Sequence, residues 1–291
     1  MIKIVSSLIY RLGKIQNNLL QIRARLKLKT YLSSARHPWS EGYDEYKWLE
    51  IGKTLSDPTL MQKFENDSDL PENFGQALDE RIVEYPWVIS KISQTSGLEV
   101  LDAGSTLNYE PIIESPHIKN KRLTIVNLNP EKNCFYKQGV SYILGDIRQL
   151  PFKNEKFDIV TCLSTLEHVG MDNALYTGQK QNAFHGDFSA AVIELKRVLK
   201  TDGRLLITVP FGKYKNHGFF QQFDQALVDD VCKIFGGKNQ VAYYKYSLAG
   251  WQIASATGCK DAEYFDVREN SQPAPDRAAA ARAVACLVLT K

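Results

Sequence analysis

Five short apolar runs recur between residues 98 and 209, separated by stretches with helical or turn-forming patterns. They lie at 98–102, 123–126, 141–144, 157–162 and 204–209. Between the last two, residues 188–199 place Ala191, Ile193, Leu195, Val198 and Leu199 on or near one side of a helix, and Lys200-Thr201-Asp202-Gly203 ends it. Strands that alternate with helices predict an α/β fold, a mainly parallel sheet covered on both faces. In such a sheet ligands settle beyond the carboxyl ends of the strands. The residues at those ends are therefore the first candidates for function.

The flanks read differently. Residues 31–78 mix aromatic, charged and turn residues, as in a connecting segment with short helices, and Ile82 to Ile92 suggest a helix before the turn at Ser96-Gly97. Beyond the last run, 225–234 reads as a helix and 283–289 as an apolar strand, expected to pair with one near 262–267. Residues 271–282, rich in Pro and Ala, read as a loop. The expected division is an N-terminal extension, 1–78, and a main domain, 79–291.

No run approaches eighteen apolar residues, so no membrane-spanning helix is expected. The five cysteines are scattered without a C-x-x-C pair, which suggests neither a metal site nor a disulfide framework and fits a reducing, cytoplasmic compartment. Eight basic residues precede the first acid, Glu41, and the rest of the chain holds 28 basic against 33 acidic residues. The body is not composed like a nucleic-acid binder. Within residues 1–30, Val5, Leu8, Leu12, Ile15, Leu19, Ile22 and Leu26 form one helical stripe among Lys and Arg. Three placements fit that pattern: packing on its own domain or on a second copy, lying in an anionic membrane interface, or a cleaved presequence.

Four strand ends carry chemistry. The first reads Asp102-Ala-Gly104-Ser105, where the glycine permits a tight turn and close approach of a ligand. The second carries Asn127, the third Gly145-Asp146-Ile147, and the fourth Leu163-Ser164-Thr165-Leu166-Glu167-His168-Val169. In this order and spacing, with G-D-I-x-x-L-P-F, F-D-x-V, L-E-H-V and the L-K-x-x-G-R-L-L-I-T-V-P strand, the chain resembles the class I S-adenosylmethionine-dependent methyltransferases of the methyltransferase type 11 group. The resemblance covers about residues 98–209. It implies a Rossmann-like sheet of seven strands with an antiparallel last strand, and S-adenosylmethionine as cofactor. It also implies roles: Asp102, Gly104 and Ser105 around the methionine moiety, Asn127 at the ribose, Asp146 and Ile147 at the adenine, and the Leu163 backbone at the amino group. Two positions depart from the family pattern. Thr106 and Asn108 stand where glycines are usual, so the loop is expected to take its own path. Asn127 stands where an acid is usual, and Asn127→Asp would on this reading leave cofactor affinity equal or better.

Methyl transfer to a hydroxyl needs its proton removed, and histidine suits that near neutral pH. His168, five residues past Leu163, is the expected base, against the alternative of a histidine bonded to a local carbonyl at the start of a helix. His217, in the aromatic and amide-rich stretch 213–223, is its rival. Glu167 reads as structural, Asp187 as a helix cap, and the Tyr43/Lys47 pair as unrelated to the dehydrogenase pattern it imitates. The expected activity is O-methylation of a sugar or glycan hydroxyl, on an acceptor that is free or lipid-linked. Methyl transfer to a lipid, quinone or small metabolite is the alternative, and a catalytically inactive binding subunit is another.

Overall fold

The computed structural model describes residues 21–131, 133–172, 188–270 and 272–291. Among these residues one sheet of eight strands runs in the order β3-β2-β1-β4-β5-β10-β8-β9. Strands β1 (Glu99–Ala103), β2 (Arg122–Asn127), β3 (Ser141–Leu144), β4 (Phe157–Leu163) and β5 (Leu199–Pro210) are parallel. They are the five runs read from the sequence. The chain winds outward in both directions from β1 and β4, so the switch point lies between those two strands. Asp158, the acid of F-D-x-V, works at the opposite end of the sheet. It accepts the Glu99 backbone N–H and the Lys200 ammonium, each at 2.8 Å, and ties together the amino ends of β1, β4 and β5.

The C-terminal pairing differs from expectation. β10 (Ala283–Thr290) is antiparallel to β5 on one side and to β8 (Lys238–Ser247) on the other, and residues 262–267 form no strand. A continuous apolar run announces a strand buried on both faces but not its neighbours. The strand signal in β8 is weak because Lys, Asn and Gln fill its first half, while Tyr244 and Tyr246 turn inward and Lys245 and Ser247 outward in its second. β9 (Gly250–Ala254) pairs with β8 as a hairpin and is the eighth strand. A two-stranded ribbon, β6 (Lys215–Asn216) with β7 (Gln221–Gln222), follows β5.

Helices cover both faces. After a first helix at residues 21–33 (α1), on one face α2 (Tyr43–Ser56), α3 (Pro58–Glu65) and α4 (Arg81–Lys91) bring Tyr43, Ile51, Phe64 and Trp87 against Val100, Ile125 and Val284. Burying each such side chain contributes about 1.5–3 kcal/mol. Asp57 starts α3 by accepting from the N–H groups of Thr59 and Leu60, with Pro58 in the first helical position. Tyr43 and Lys47, one turn apart, both donate to Asp79, at 3.1 and 2.7 Å, so this pair has a structural partner. On the other face α6 (Phe188–Val198) and α7 (Gln225–Phe235) pack against β4, β5 and β10, numbered with α5 (Glu110–Ile113) after α4.

Residues 21–33 are helical as the N-terminal stripe predicts. Ile22 and Leu26 on that stripe are 53% and 60% exposed, so the domain itself does not cover them. The other stripe residues, and Asp187 with its expected cap, lie outside the described residues. Among the described residues no helix is long and apolar enough to cross a membrane.

Candidate active site

The turn after β1 is built around a buried carboxylate. Asp102 is 0% exposed and accepts from the Leu107 N–H at 2.7 Å, Thr161 Oγ1 at 3.1 Å and Thr106 Oγ1 at 3.2 Å. Burial raises its pKa to about 6, against the pull of those three hydrogen bonds. The loop does take its own path. Gly104 (φ 118°) and Ser105 (φ 61°) have positive φ, whereas Thr106 and Asn108 do not. A side chain at 104 would run into that of Thr165, so glycine is required by both conformation and space. Tyr85 of α4 holds the loop by donating to the Thr106 carbonyl at 2.8 Å.

At the end of β2, Asn127 accepts the Leu128 N–H and donates Nδ2 to Glu131 Oε1 at 2.7 Å. The other Glu131 oxygen accepts Asn108 Nδ2 at 2.9 Å, which links this end to the β1 turn. At the end of β3, the Asp146 carboxylate receives Arg148 Nη2 at 2.6 Å and Nε at 3.0 Å. Those bonds hold its pKa below the usual carboxylate value although burial opposes them.

These ends enclose a cavity of about 370 Å³, lined by Gly104, Ser105, Asn127, Asp146 and Ile147 among the expected residues. Tyr85 and Tyr109 supply aromatic wall. Asp102 and Leu163, both 0% exposed, stand behind the lining. Asp102 acts on the loop, and the Leu163 carbonyl accepts Thr165 Oγ1 at 2.8 Å. The cavity offers a buried hydroxyl without a hydrogen-bond partner among the described residues, Ser105 Oγ, and a carboxylate, Asp146. S-adenosylmethionine, which carries polar groups along its whole length, fits a lining that offers the Ser105 hydroxyl, the Asn127 amide and the Asp146 carboxylate beside Ile147 and Tyr85.

Beyond β4 the backbone turns through Ser164 (φ 37°) into the short helical turn Leu166–His168. His168 Nδ1 lies 2.8 Å from the Phe219 carbonyl, which only accepts, so Nδ1 carries the proton and the neutral ring has its lone pair on Nε2. Burial lowers its pKa to about 4, well below the ordinary histidine value expected from the sequence. Underneath, Glu84 is 0% exposed; it receives Arg81 Nη1 at 2.6 Å, Ser164 Oγ at 2.6 Å and Thr208 Oγ1 at 2.7 Å. A second cavity of about 230 Å³ adjoins the first, and Arg81, Ser164 and His168 line both. Its remaining wall includes Trp39, Lys47, Asp79 and Glu80 from the N-terminal helical region, Glu167, and Phe219, Phe220 and Tyr264.

His217, the rival base, lines neither cavity. Its ring stacks on Phe220, 4.3 Å between centroids, on the far side of that wall. Sequence reasoning missed Arg81, Glu84, Glu131 and Arg148. Arg148 carried a local signal, two residues from an acid on the same turn. Glu131 lies four residues past Asn127, its partner, whereas Arg81 and Glu84 meet the site only because α4 lies over the end of β4.

Residues 117–207 match the sequence model of a family described as a methyltransferase domain. The mitochondrial ubiquinone biosynthesis O-methyltransferase of Candida albicans is 27% identical over 133 residues, 42% of this chain and 39% of that protein. An uncharacterized protein of Methanocaldococcus jannaschii is 27% identical over 158 residues, 54% of this chain and 60% of its own length. The chain thus spans about two fifths and three fifths of these relatives. A crystal structure of Burkholderia thailandensis 1,6-didemethyltoxoflavin-N1-methyltransferase, with 1,6-didemethyltoxoflavin and S-adenosylhomocysteine bound, aligns at 13% identity and a TM-score of 0.44. That alignment covers 89% of this chain and 97% of that one. With the strands wound outward from β1 and β4, residues 117–207 are thus similar to a methyltransferase domain of the class I type, a family whose cofactor is S-adenosylmethionine.

Proposed function

We propose that the chain methylates a hydroxyl oxygen of a sugar or glycan, with His168 as general base. The observation that carries this reading is the position of His168 on the wall shared by the two cavities. S-adenosylmethionine supplies a methyl group already activated on a sulfonium, so the protein's task is to orient the acceptor and remove its proton. On this reading Gly104, Ser105, Asn127, Asp146 and Ile147 hold the cofactor, while Asp102 and the Leu163 backbone shape its wall. The acceptor sits in the second cavity. With the cofactor bound, its oxygen would take the methyl group from the sulfonium, the new C–O bond replacing the S–CH3 bond, and its proton would pass to His168 Nε2. The Phe219 carbonyl keeps the ring in the tautomer this requires.

The test is transfer from labelled S-adenosylmethionine to a panel of free and lipid-linked sugars. His168→Ala should lower kcat by about 10²–10⁴, the usual loss on removing a general base, while affinity for S-adenosylhomocysteine holds. Retention of most of the rate by that variant contradicts the assignment. A second reading, methyl transfer to a phenolic hydroxyl of a quinone precursor or other small metabolite, is supported by the Candida albicans relative. The same panel with phenolic acceptors separates the two. Absence of any binding of S-adenosylhomocysteine would favour a non-catalytic binding subunit.

The exposed Ile22 and Leu26 support an outside partner for the N-terminal helix, either an anionic membrane surface near a lipid-linked acceptor or a second copy of the chain. Co-sedimentation with anionic vesicles, beside the oligomeric state measured with and without residues 1–30, distinguishes them.

A further inference from the structure

One polar atom on the wall of the second cavity lacks a partner. Glu167 is 1% exposed, it lines the cavity, and its Oε2 has no hydrogen bond among the described residues. Leaving such an atom unpaired is costly, and a buried polar group without a partner calls for an explanation. The carboxylates around it are satisfied. Asp79 receives Lys47 and Tyr43, Glu80 receives the Ala281 N–H at 3.2 Å, and Glu84 receives Arg81, Ser164 and Thr208.

The two cations of this wall are paired with carboxylates. Lys47 pairs with Asp79 at 2.7 Å and Arg81 with Glu84 at 2.6 Å. Burial pushes the Glu80 carboxyl up to about 7 and that of Glu167 well above its ordinary value. A neutral carboxyl both donates and accepts a hydrogen bond. With its cations paired and carboxyl oxygens facing it, the wall suits a ligand that presents hydroxyl groups rather than an anion. Trp39, Phe219, Phe220 and Tyr264 add ring surface suited to the apolar face of a cyclic ligand.

Glu167 and His168 are consecutive in one short turn and both line the cavity. We propose that Glu167 is an acceptor-binding residue that holds the hydroxyl adjacent to the one from which His168 takes the proton. The acceptor class is then a neutral ring bearing a vicinal diol. Glu167 makes and breaks no covalent bond; it fixes which of two neighbouring oxygens meets the methyl group. The inference rests on the methyl-transfer reading above and narrows its acceptor.

The test is saturation-transfer NMR on the full chain with S-adenosylhomocysteine present. The probes are methyl pyranosides carrying a vicinal diol, their monodeoxy forms, and catechol against phenol. Diol probes should bind the wild type and Glu167→Gln, whose amide also donates and accepts, at least about tenfold more tightly than their deoxy partners. Glu167→Leu should bind both kinds equally weakly. Calorimetry with S-adenosylhomocysteine checks that each variant keeps its cofactor site. If the wild type does not separate diol from deoxy probes, the Glu167 assignment fails even should Glu167→Leu not fold. It fails also if Glu167→Leu binds the diols as the wild type does. If S-adenosylhomocysteine does not bind the wild type, the methyl-transfer reading itself fails, which is a distinguishable result.

Discussion

Asn127 donates its side-chain amide to Glu131 across 2.7 Å, and the same carboxylate bridges to Asn108 at 2.9 Å. A carboxylate is thus present at the end of β2 although the strand closes on an amide. The structure reverses the expectation for Asn127→Asp. The new carboxylate would face Glu131 and lose the bond that joins two walls of the cavity. Affinity for S-adenosylhomocysteine should fall several-fold in calorimetry, and Asn127→Asp/Glu131→Gln should recover part of it. Equal or tighter binding by the single variant would mean that Glu131 turns away when ligand enters.

Asp102 should give stability a pH dependence. Its folded pKa, about 6, exceeds the unfolded value, so the folded state holds the proton more tightly. This contribution is fully present below the unfolded pKa, about 3.9, and is lost as pH rises through the folded value. Asp102→Asn should remove that slope, so the stability of wild type relative to variant should decline between about pH 4 and 7 in urea titrations. A difference that does not change with pH would show that the carboxylate is ionised throughout. Asp102→Ala, which removes the acceptor for the Leu107 N–H, should cost about 1–3 kcal/mol.

Glu84 anchors Arg81, Ser164 and Thr208 from one fully buried carboxylate. Glu84→Ala leaves the Arg81 guanidinium without its partner and should destabilise the fold by about 3–5 kcal/mol. Glu84→Gln, which keeps the acceptor oxygen, should cost less. A loss below about 1 kcal/mol in Glu84→Ala would place this network outside the stabilising core.

His168 is a weaker base than an exposed histidine. It must be neutral to accept a proton, and with its pKa lowered to about 4 it is neutral throughout the physiological range. The acid limb of kcat/KM should therefore fall near pH 4 rather than near the ordinary histidine value of about 6.5. An acid limb close to 6.5, abolished in His168→Gln, would show that the ring is more solvated in the working enzyme.

Much of this arrangement was legible in residue order, because strand ends are local features. The five parallel strands, the glycine turn at 104, Asp146 and the Leu166–His168 turn all follow from short apolar runs and what closes them. The partners of β10 were not legible, since an apolar run fits any central position and β8 begins with polar residues. Nor were the side-chain links from Glu131 to Asn127 and from Glu84 to Ser164. The latter joins residues 80 positions apart and exists only once α4 lies over the end of β4. Residue order alone gives Glu167 no ligand-binding role; its unpaired oxygen is visible only with the cavity around it.

Calorimetric titration of the full chain with S-adenosylhomocysteine tests the cofactor site most directly. One ligand should bind per chain. Asp146→Ala should weaken binding about tenfold, since one hydrogen bond is worth about 1–1.5 kcal/mol net, and His168→Ala should leave it nearly unchanged. No heat at millimolar ligand, or equal binding by wild type and Asp146→Ala, would contradict a cofactor site at these strand ends.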